Sequence, residues 1–411
     1  MIAGAVRLPI ADLARTEPGL PVAVAGRVTS VVSNEWRIED VTGAVLAHPE
    51  RPEDASAIAL GAWVFAEATW TGTVLDEARL SEVHSPETPF PRMSGEWVRL
   101  HRDGRRRLRM LSTRAAVLRS VRRFFDEREF LEVETPLAVP SPGLDLHLDA
   151  FSVGHAKTER WLITSPEYQM KRLLAGGLER IYQICRCFRR GEVGTHHQPE
   201  FTMLEWYRAL EDSDALMRDT ESLVAAAAMD VLGTTCLRTE GHAPLELGPP
   251  WERLRIDEAF ERYAGVSMDS VLPDEDRFFL TLTEQIEPQL GRTRPVFLTH
   301  WPASMASLAR VLPGPPPRAD RFEAYVRGVE LCNGFGELVD ATEQRRRLMA
   351  DQQARQSKNM PVYPLDERFL SALEEGVPPS SGNALGIDRL VMLLSGATDI
   401  DDVVTFSDAR L

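Results

Sequence analysis

The stretch from Ser165 to Arg208, SPEYQMKRLLAGGLERIYQICRCFRRGEVGTHHQPEFTMLEWYR, constrains this chain more than any other. A helical pattern over Glu167 to Ala175 stops at Gly176-Gly177, and the apolar run Ile181 to Cys185 then reads as a buried strand. A charged, glycine-bearing loop from Arg189 to Gln198 follows, and Phe201 to Tyr207 returns as a second strand. Two extended runs around such a loop predict a long hairpin. The hairpin gathers an arginine, a glutamate and an aromatic ring, a combination that suits a nucleoside triphosphate. Arg189 can clamp phosphate oxygens in pairs and Phe201 can stack on a base.

At 411 residues the chain is long enough for two or three domains, and its 43% hydrophobic and 27% charged content is that of a soluble protein with a substantial core. No apolar run approaches the ~18–20 residues of a membrane span. The start, MIAGAVRLPIADLART, lacks the basic residues and long apolar region of a signal peptide, so a cytoplasmic protein with no membrane partner is expected. Cys185, Cys187, Cys236 and Cys332 are scattered, which predicts reduced thiols and neither a disulfide framework nor a zinc site. A net charge of −15 argues against a chain built globally to hold nucleic acid, although a local basic face stays open. Only Lys157, Lys171 and Lys358 are lysines, so arginine carries nearly all the positive charge; this reads as coding bias.

Residues 20–85 alternate and turn like a small β-barrel. VAVAGRVTSVV reads as a strand pair, then EWRIEDVTGAVLAHP and GAWVFAEATWTGTVLDEARLSEV turn at Thr42-Gly43 and Thr71-Gly72. Trp36, Trp63, Phe65 and Trp70 fall where strand alternation places core residues; exposed, they would be stacking platforms. Residues 86–110 read as a linker whose basic run, His101 to Arg107, forms a solvated hinge. A helix is expected from Thr113, with Val117, Val121, Phe124 and Phe125 on its apolar face, followed by a strand at Phe130 to Glu134 and by Pro136. After Arg208 the pattern is helical to Ala228; a connector at 241–250 and a further helical section to Gln289 follow.

The run FRRGE…HHQPEFTMLEWYR resembles motif 2 of the class II aminoacyl-tRNA synthetases, in the lysine branch. Within that branch it is most similar to the ligases that load a lysine onto elongation factor P. The helix, strand and Pro136 resemble motif 1, near 114–136, the dimer-interface element of the class. Motif 2 lies near 181–208. SGNALGIDRLVMLLSGA resembles motif 3, near 381–397. The segment PAS-x-ASLA, from Pro302 to Ala309, also resembles the elongation factor P ligases. The fold implied is α+β: an antiparallel class II sheet with flanking helices over 113–411, preceded by an OB-like β-barrel over 1–88 and a linker over 89–112. Such barrels bind single strands through basic grooves. Residues 1–90, however, hold six arginines, no lysine and 13 acidic residues, a net of −7. An anticodon reader and a docking or vestigial barrel both stay open.

The resemblance implies ATP and Mg²⁺. Glu323 and Glu330 match the glutamates that hold Mg²⁺ on ATP; on a helix their separation would equally describe a surface face. Arg189 and Arg389 match the catalytic arginines that neutralise phosphate charge, with Glu192, Gln198, Phe201, Leu331 and Gly386 as further ATP positions. Arg389 would sit at a helix N-terminus, which itself favours phosphate. The amino acid would be held by Ser165, Pro166, Glu167, Glu205, Tyr207, Asn333, Phe335, Glu337 and Ala384, with Glu337 pairing the ε-ammonium.

Two positions depart from the branch: Gly191 stands where motif 2 has its glutamate, leaving Glu192 as the loop acid, and Gln198 replaces an asparagine. At Ala384 the tRNA-charging lysyl enzymes have glycine and the elongation factor P ligases have alanine. The added methyl would disfavour α-lysine against a β-amino acid by ~1–3 kcal/mol. The expected activity is ATP-dependent activation of lysine or β-lysine and transfer to a lysine of elongation factor P, by a homodimer. A lysyl-tRNA synthetase charging tRNA is the alternative, favoured by the OB-like front end. A catalytically dead paralogue would have lost motif residues, and Arg189, Glu330 and Arg389 are all present.

Overall fold

The computed structural model describes residues 5–51, 58–154 and 159–408, so Lys157 falls outside the described residues. The chain divides into two compact units, Met1–Arg109 and Met110–Leu411.

Five strands dominate the first unit: β1 (Pro21–Val32), β2 (Glu35–Glu39), β3 (Ala44–Pro49), β4 (Trp63–Trp70) and β5 (Val74–His84). They pair in the cycle β1–β2–β3–β5–β4–β1, with only the β3–β5 pair parallel, so the sheet closes on itself as a small barrel. The run expected to be a strand pair is one 12-residue strand. Gly26 does not turn it; it lets β2 approach, since a Cβ there would lie 2.7 Å from the Glu39 carbonyl oxygen. The turn at Thr42-Gly43 forms as expected, with Asp40 Oδ1 accepting from the N–H groups of both residues.

Trp36 and Trp70 are core residues, as expected, but Trp63 and Phe65 are 39% and 38% exposed. Their neighbours Val64 and Ala66 take the inward positions of β4, and a period of two leaves the rings outside. Trp97 stands edge-on to Trp63 at 6.1 Å, and Arg27 lies over the Phe90 ring at 4.4 Å. The segment read as a linker therefore packs onto the barrel's outer face. The helix expected from Thr113 begins earlier: α1 spans Glu96–Asp126, interrupted at Arg102–Arg105, where Asp103, Gly104 and Arg105 have positive φ. Arginine is a good helix former, so the rest of the basic run joins the helix. Arg105 is not a free hinge residue, because its guanidinium donates to Glu39 and to the Gly43 carbonyl.

The second unit is built on one large sheet. Its strands are β6 (Leu131–Glu132), β7 (Arg180–Phe188), β8 (Glu200–Ala209), β9 (Glu252–Arg255), β10 (Val296–Pro302), β11 (Arg318–Val326), β12 (Val329–Gly336) and β13 (Ser380–Gly386). They lie in the order β9-β10-β11-β12-β13-β8-β7-β6; the interior is antiparallel and the two outermost pairs are parallel. The β7–β8 pair is the long hairpin expected from the sequence, in register from Arg180↔Arg208 to Phe188↔Glu200.

Alternation on β8 sorts its side chains. Leu204 and Trp206 enter the core with Phe125, Tyr182, Leu223, Ile387 and Leu390, beneath helices α3 (Ser213–Leu232) and α6 (Ile387–Ser395). Met203, Glu205 and Tyr207 face the other way. There α2 (Glu167–Ala175) and α5 (Glu367–Gly376) pack through Tyr168, Leu174, Phe369 and Leu373. Helix α4 (Ala341–Ser357) adds Leu348 to the same cluster.

Arg114 of α1 ties the three resemblance motifs together. Its guanidinium pairs with Asp388 of α6 and donates to Thr202 Oγ1 of β8, while Asp388 accepts from the Thr202 backbone N–H at 2.7 Å. Asp388 is buried, so removing the cation strands a carboxylate in the core. Arg114→Met should therefore destabilise the protein by about 3 kcal/mol. Urea denaturation would measure this, and an unchanged midpoint would show the bridge to be dispensable.

Candidate active site

The cross-strand register assembles the site. Gln183, Glu205, Ala384, Asn333 and Glu323 stand side by side in one row across β7, β8, β13, β12 and β11. Two residues along, Ile181, Tyr207, Gly382, Phe335 and Arg321 form a second row on the same face. A cavity of about 160 Å³ opens over these rows, and Glu205, Tyr207, Asn333, Phe335, Gly382 and Ala384 all line it. Ser165 and Glu167 enter from the start of α2, Glu337 from just beyond β12, and Arg189 from the end of β7. Nine sequence-nominated residues thus meet in one cavity. Pro166 does not line it but occupies the N-cap position of α2, which carries Glu167.

The end nominated for the amino acid is rich in carboxylates, of which Glu205 and Glu337 are buried. Lys171, one turn after Glu167 on α2 and 1% exposed, bridges Glu167 at 2.6 Å and Glu337 at 2.5 Å. Burial alone would lower the Lys171 pKa, but the two carboxylates outweigh it and hold the ammonium above the ordinary lysine value. Burial pushes Glu337 up to about 8, against the pull of Lys171. Glu205 is 2% exposed; the Tyr207 hydroxyl donates to its Oε1 at 2.5 Å, and its Oε2 is buried without a hydrogen-bond partner. Burial, with Glu167 nearby, holds Glu205 well above the usual carboxylate range.

The fourth wall is the loop 141–148, held from behind by Arg355. That guanidinium is fully buried on α4 and donates to the carbonyls of Asp145 and Leu148 and to Asp149 Oδ1. Asp149 Oδ2 in turn accepts from Arg190, so the loop is linked to the β7–β8 turn.

The opposite end of the face carries the groups nominated for ATP. Arg189 lies 5.0 Å over the Phe201 ring, and its buried Nε has no hydrogen-bond partner. Glu192 sits 3.7 Å from Arg189, after Gly191, whose φ of 88° favours glycine. Arg389, in the first turn of α6 after Gly386, donates to the Glu330 carboxylate and backbone carbonyl and contacts His197 Nε2 at 2.6 Å. Burial, aided by Arg389, lowers the His197 pKa below the ordinary imidazole value.

Glu323 and Glu330 lie on neighbouring strands rather than on a helix, and a bulge brings them to one face. Ala324 pairs with Cys332, but Tyr325 pairs with Glu330, leaving Leu331 as the extra residue. Without the shift Glu330 would point to the core face; with it, Leu331 is buried there instead. Any part Leu331 takes in binding is therefore a backbone one. Glu323 is buried and accepts from Arg321 at 2.6 Å and from the Tyr325 hydroxyl at 2.7 Å. Burial, against Arg321, raises its pKa to about 7.

Of the residues nominated for ATP, only Arg189 lines this cavity, and Gln198 is engaged elsewhere. The Gln198 amide donates to Asp401 Oδ1 and accepts from the Asp408 N–H, so it anchors the C-terminal segment. Sequence reasoning missed Lys171, Gly382 and His197. For Lys171 the signal existed: it stands four residues after Glu167 on a recognised helix, the spacing of an ion pair.

A family model described as tRNA synthetases class II (D, K and N) matches residues 91–410. Among curated proteins, the chain is 43% identical over 314 residues to an elongation factor P–(R)-beta-lysine ligase of Enterobacter sp. (strain 638), covering 73% of this chain and 95% of that protein. Proteins of the same name from Klebsiella pneumoniae and Salmonella gallinarum are 42% and 41% identical, with the same coverage. More than a quarter of this chain therefore has no counterpart in those alignments. Across its large sheet and the site on it, this chain belongs to the class II tRNA synthetases of the D, K and N type.

Proposed function

We propose that this protein is a ligase that activates lysine or β-lysine with ATP and transfers the acyl group to a lysine side chain of elongation factor P. The observation that carries this reading is the cluster of buried Glu205 and Glu337 with half-buried Glu167, in which Lys171 is the one ammonium paired with Glu167 and Glu337. Buried carboxylates demand cations, and a diamino acid brings two. The three relatives described above are named elongation factor P–(R)-beta-lysine ligases, which supports elongation factor P as the acceptor.

In the first step a carboxylate oxygen of the amino acid attacks the α-phosphorus of ATP and pyrophosphate leaves. In the second, an acceptor amine attacks the acyl carbonyl, AMP leaves, and the amine's proton goes to solvent or to a base. Arg189 and Arg389 would take the phosphates, and the unpartnered Nε of Arg189 suits an oxyanion. Phe201 would carry the adenine. Glu323 and Glu330, hard oxygen donors brought to one face, fit Mg²⁺, which would neutralise charge on the polyphosphate.

The same reading includes a cytoplasmic homodimer joined through motif 1. Its support is the outermost strand β6, where Leu131 is 53% exposed. The barrel is read as an OB-fold on its five-stranded cycle with one parallel pair. Its acidic balance favours a protein-docking role over an anticodon grip. No helix of the described residues is long and apolar enough to cross a membrane.

Incubating the protein with ATP, Mg²⁺ and labelled α-lysine or β-lysine, offering unmodified elongation factor P and tRNA separately, tests the assignment. Label on elongation factor P, greater with β-lysine, is expected; label on tRNA alone would make this a lysyl-tRNA synthetase. In the same assay Ala384→Gly should shift the kcat/KM ratio toward α-lysine by roughly tenfold, the effect of one methyl in a closed pocket. An unchanged ratio would remove Ala384 from the specificity argument.

A substrate ammonium binds the ionised form of Glu337, so protons compete with it. With Glu337 raised to about 8, the KM for lysine should be lowest above that pH and rise as pH falls, by up to about tenfold per unit. Steady-state kinetics between pH 6.5 and 8.5 at saturating ATP would show this; a flat KM would mean Glu337 carries no such load.

A further inference from the structure

We infer that Lys171 is a positioning residue that holds the Glu167 and Glu337 carboxylates together at the cavity, where they receive a substrate ammonium. The inference rests on the reading of this cavity as a lysine or β-lysine site.

Lys171 does not itself line the cavity, yet it holds two of the carboxylates that do. Both ion-paired oxygens lie within 2.6 Å of one Nζ, so they stand at most about 5 Å apart. Without a cation between them, Glu167 and Glu337 would repel, and one would turn away or take a proton. With Lys171 in place, their carboxylates and that of Glu205 retain two uncompensated negative charges when ionised. A substrate ammonium is drawn to that excess of negative charge, and a substrate without one would leave it uncompensated.

The choice of side chain points the same way. Lys171 is one of three lysines among 47 cationic residues, and it is enclosed to 1% exposure. A compact ammonium can serve two carboxylates at one point, whereas a planar guanidinium needs a wider, forked site. A merely structural salt bridge, which anchors α2 and nothing more, is the competing account. It predicts a loss of stability without selective loss of amino-acid binding.

ATP–pyrophosphate exchange with Lys171→Ala separates the two accounts. The KM for lysine should rise at least about tenfold, the effect of losing charged hydrogen bonds, while the KM for ATP stays within about twofold. Propylammonium added to the variant should restore much of the loss, and propanol at equal concentration should not. Equal rescue by propanol, or a parallel rise in both KM values, overturns the inference. If Lys171→Ala does not fold, Lys171→Met keeps the volume without the charge. The same selective KM rise in a folded Lys171→Met is expected, and a wild-type lysine KM there overturns the inference. Absence of lysine-dependent exchange in the wild-type protein would overturn the underlying reading, and this inference with it.

Discussion

Antiparallel register is the constraint on which the site depends. A row of five residues from five strands, Gln183 to Glu323, exists only because each strand meets its neighbour at one position and no other. A slip of one residue would send Glu205 into the core and Trp206 into the cavity. Close packing resists that slip. A Cβ at Gly382 would lie 2.3 Å from the Tyr207 ring and 2.5 Å from Glu337, and one at Gly334 would enter the Phe322 ring. The large aromatic residues of the core face, Tyr182, Trp206 and Phe125, fix the other side of the sheet. The bulge at Leu331 breaks the alternation between β11 and β12, and it carries Glu330 to the face of Glu323.

Once the register is set, burial makes the electrostatics severe. Glu205, Glu337 and Lys171 are all withdrawn from water, and Glu323 nearly so. Each such group must be paired, protonated or strained. Here Lys171 pairs with two carboxylates, Tyr207 donates to a third, and Arg321 with Tyr325 satisfies the fourth. Under the proposed reading, a substrate ammonium would offset the cost of withdrawing these carboxylates from water.

Much of this was legible in the sequence, and the parts that were not have physical reasons. The β7–β8 hairpin and helix α2 follow from local periodicity and turn residues, which act at short range. Ser165, Glu167, Tyr207, Asn333, Phe335 and Glu337 were found through motif resemblance, and the structure brings them together. The side on which Leu331 falls depends on a bulge that no local signal announced. Gln198 is occupied by Asp401 and Asp408, some 200 residues away in the chain, a contact only the tertiary fold creates. Trp63 and Phe65 alternate as core residues do, but periodicity gives two faces and not which one points inward. The scarcity of lysine reads as a property of the whole chain, and it hides the position of Lys171. The informative fact was where the exceptional residue sits.

Under the proposed reaction, the charged groups on this face of the sheet would orient the substrates. Glu167, Glu205 and Glu337 surround the amino-acid end, while Arg189 and Arg389 stand toward the turn of the hairpin and the start of α6. Under the proposed reaction a diamino acid is drawn with its ammonium groups among the carboxylates, leaving its own carboxylate directed to the arginines. The triphosphate would be taken by the two arginines, with Mg²⁺ offsetting the charge of Glu323 and Glu330. Arg189 belongs to both, since it lines the cavity and stacks over Phe201. The nucleophilic oxygen and the α-phosphorus would therefore meet beside Arg189, and opposed fields would align them before any bond is made.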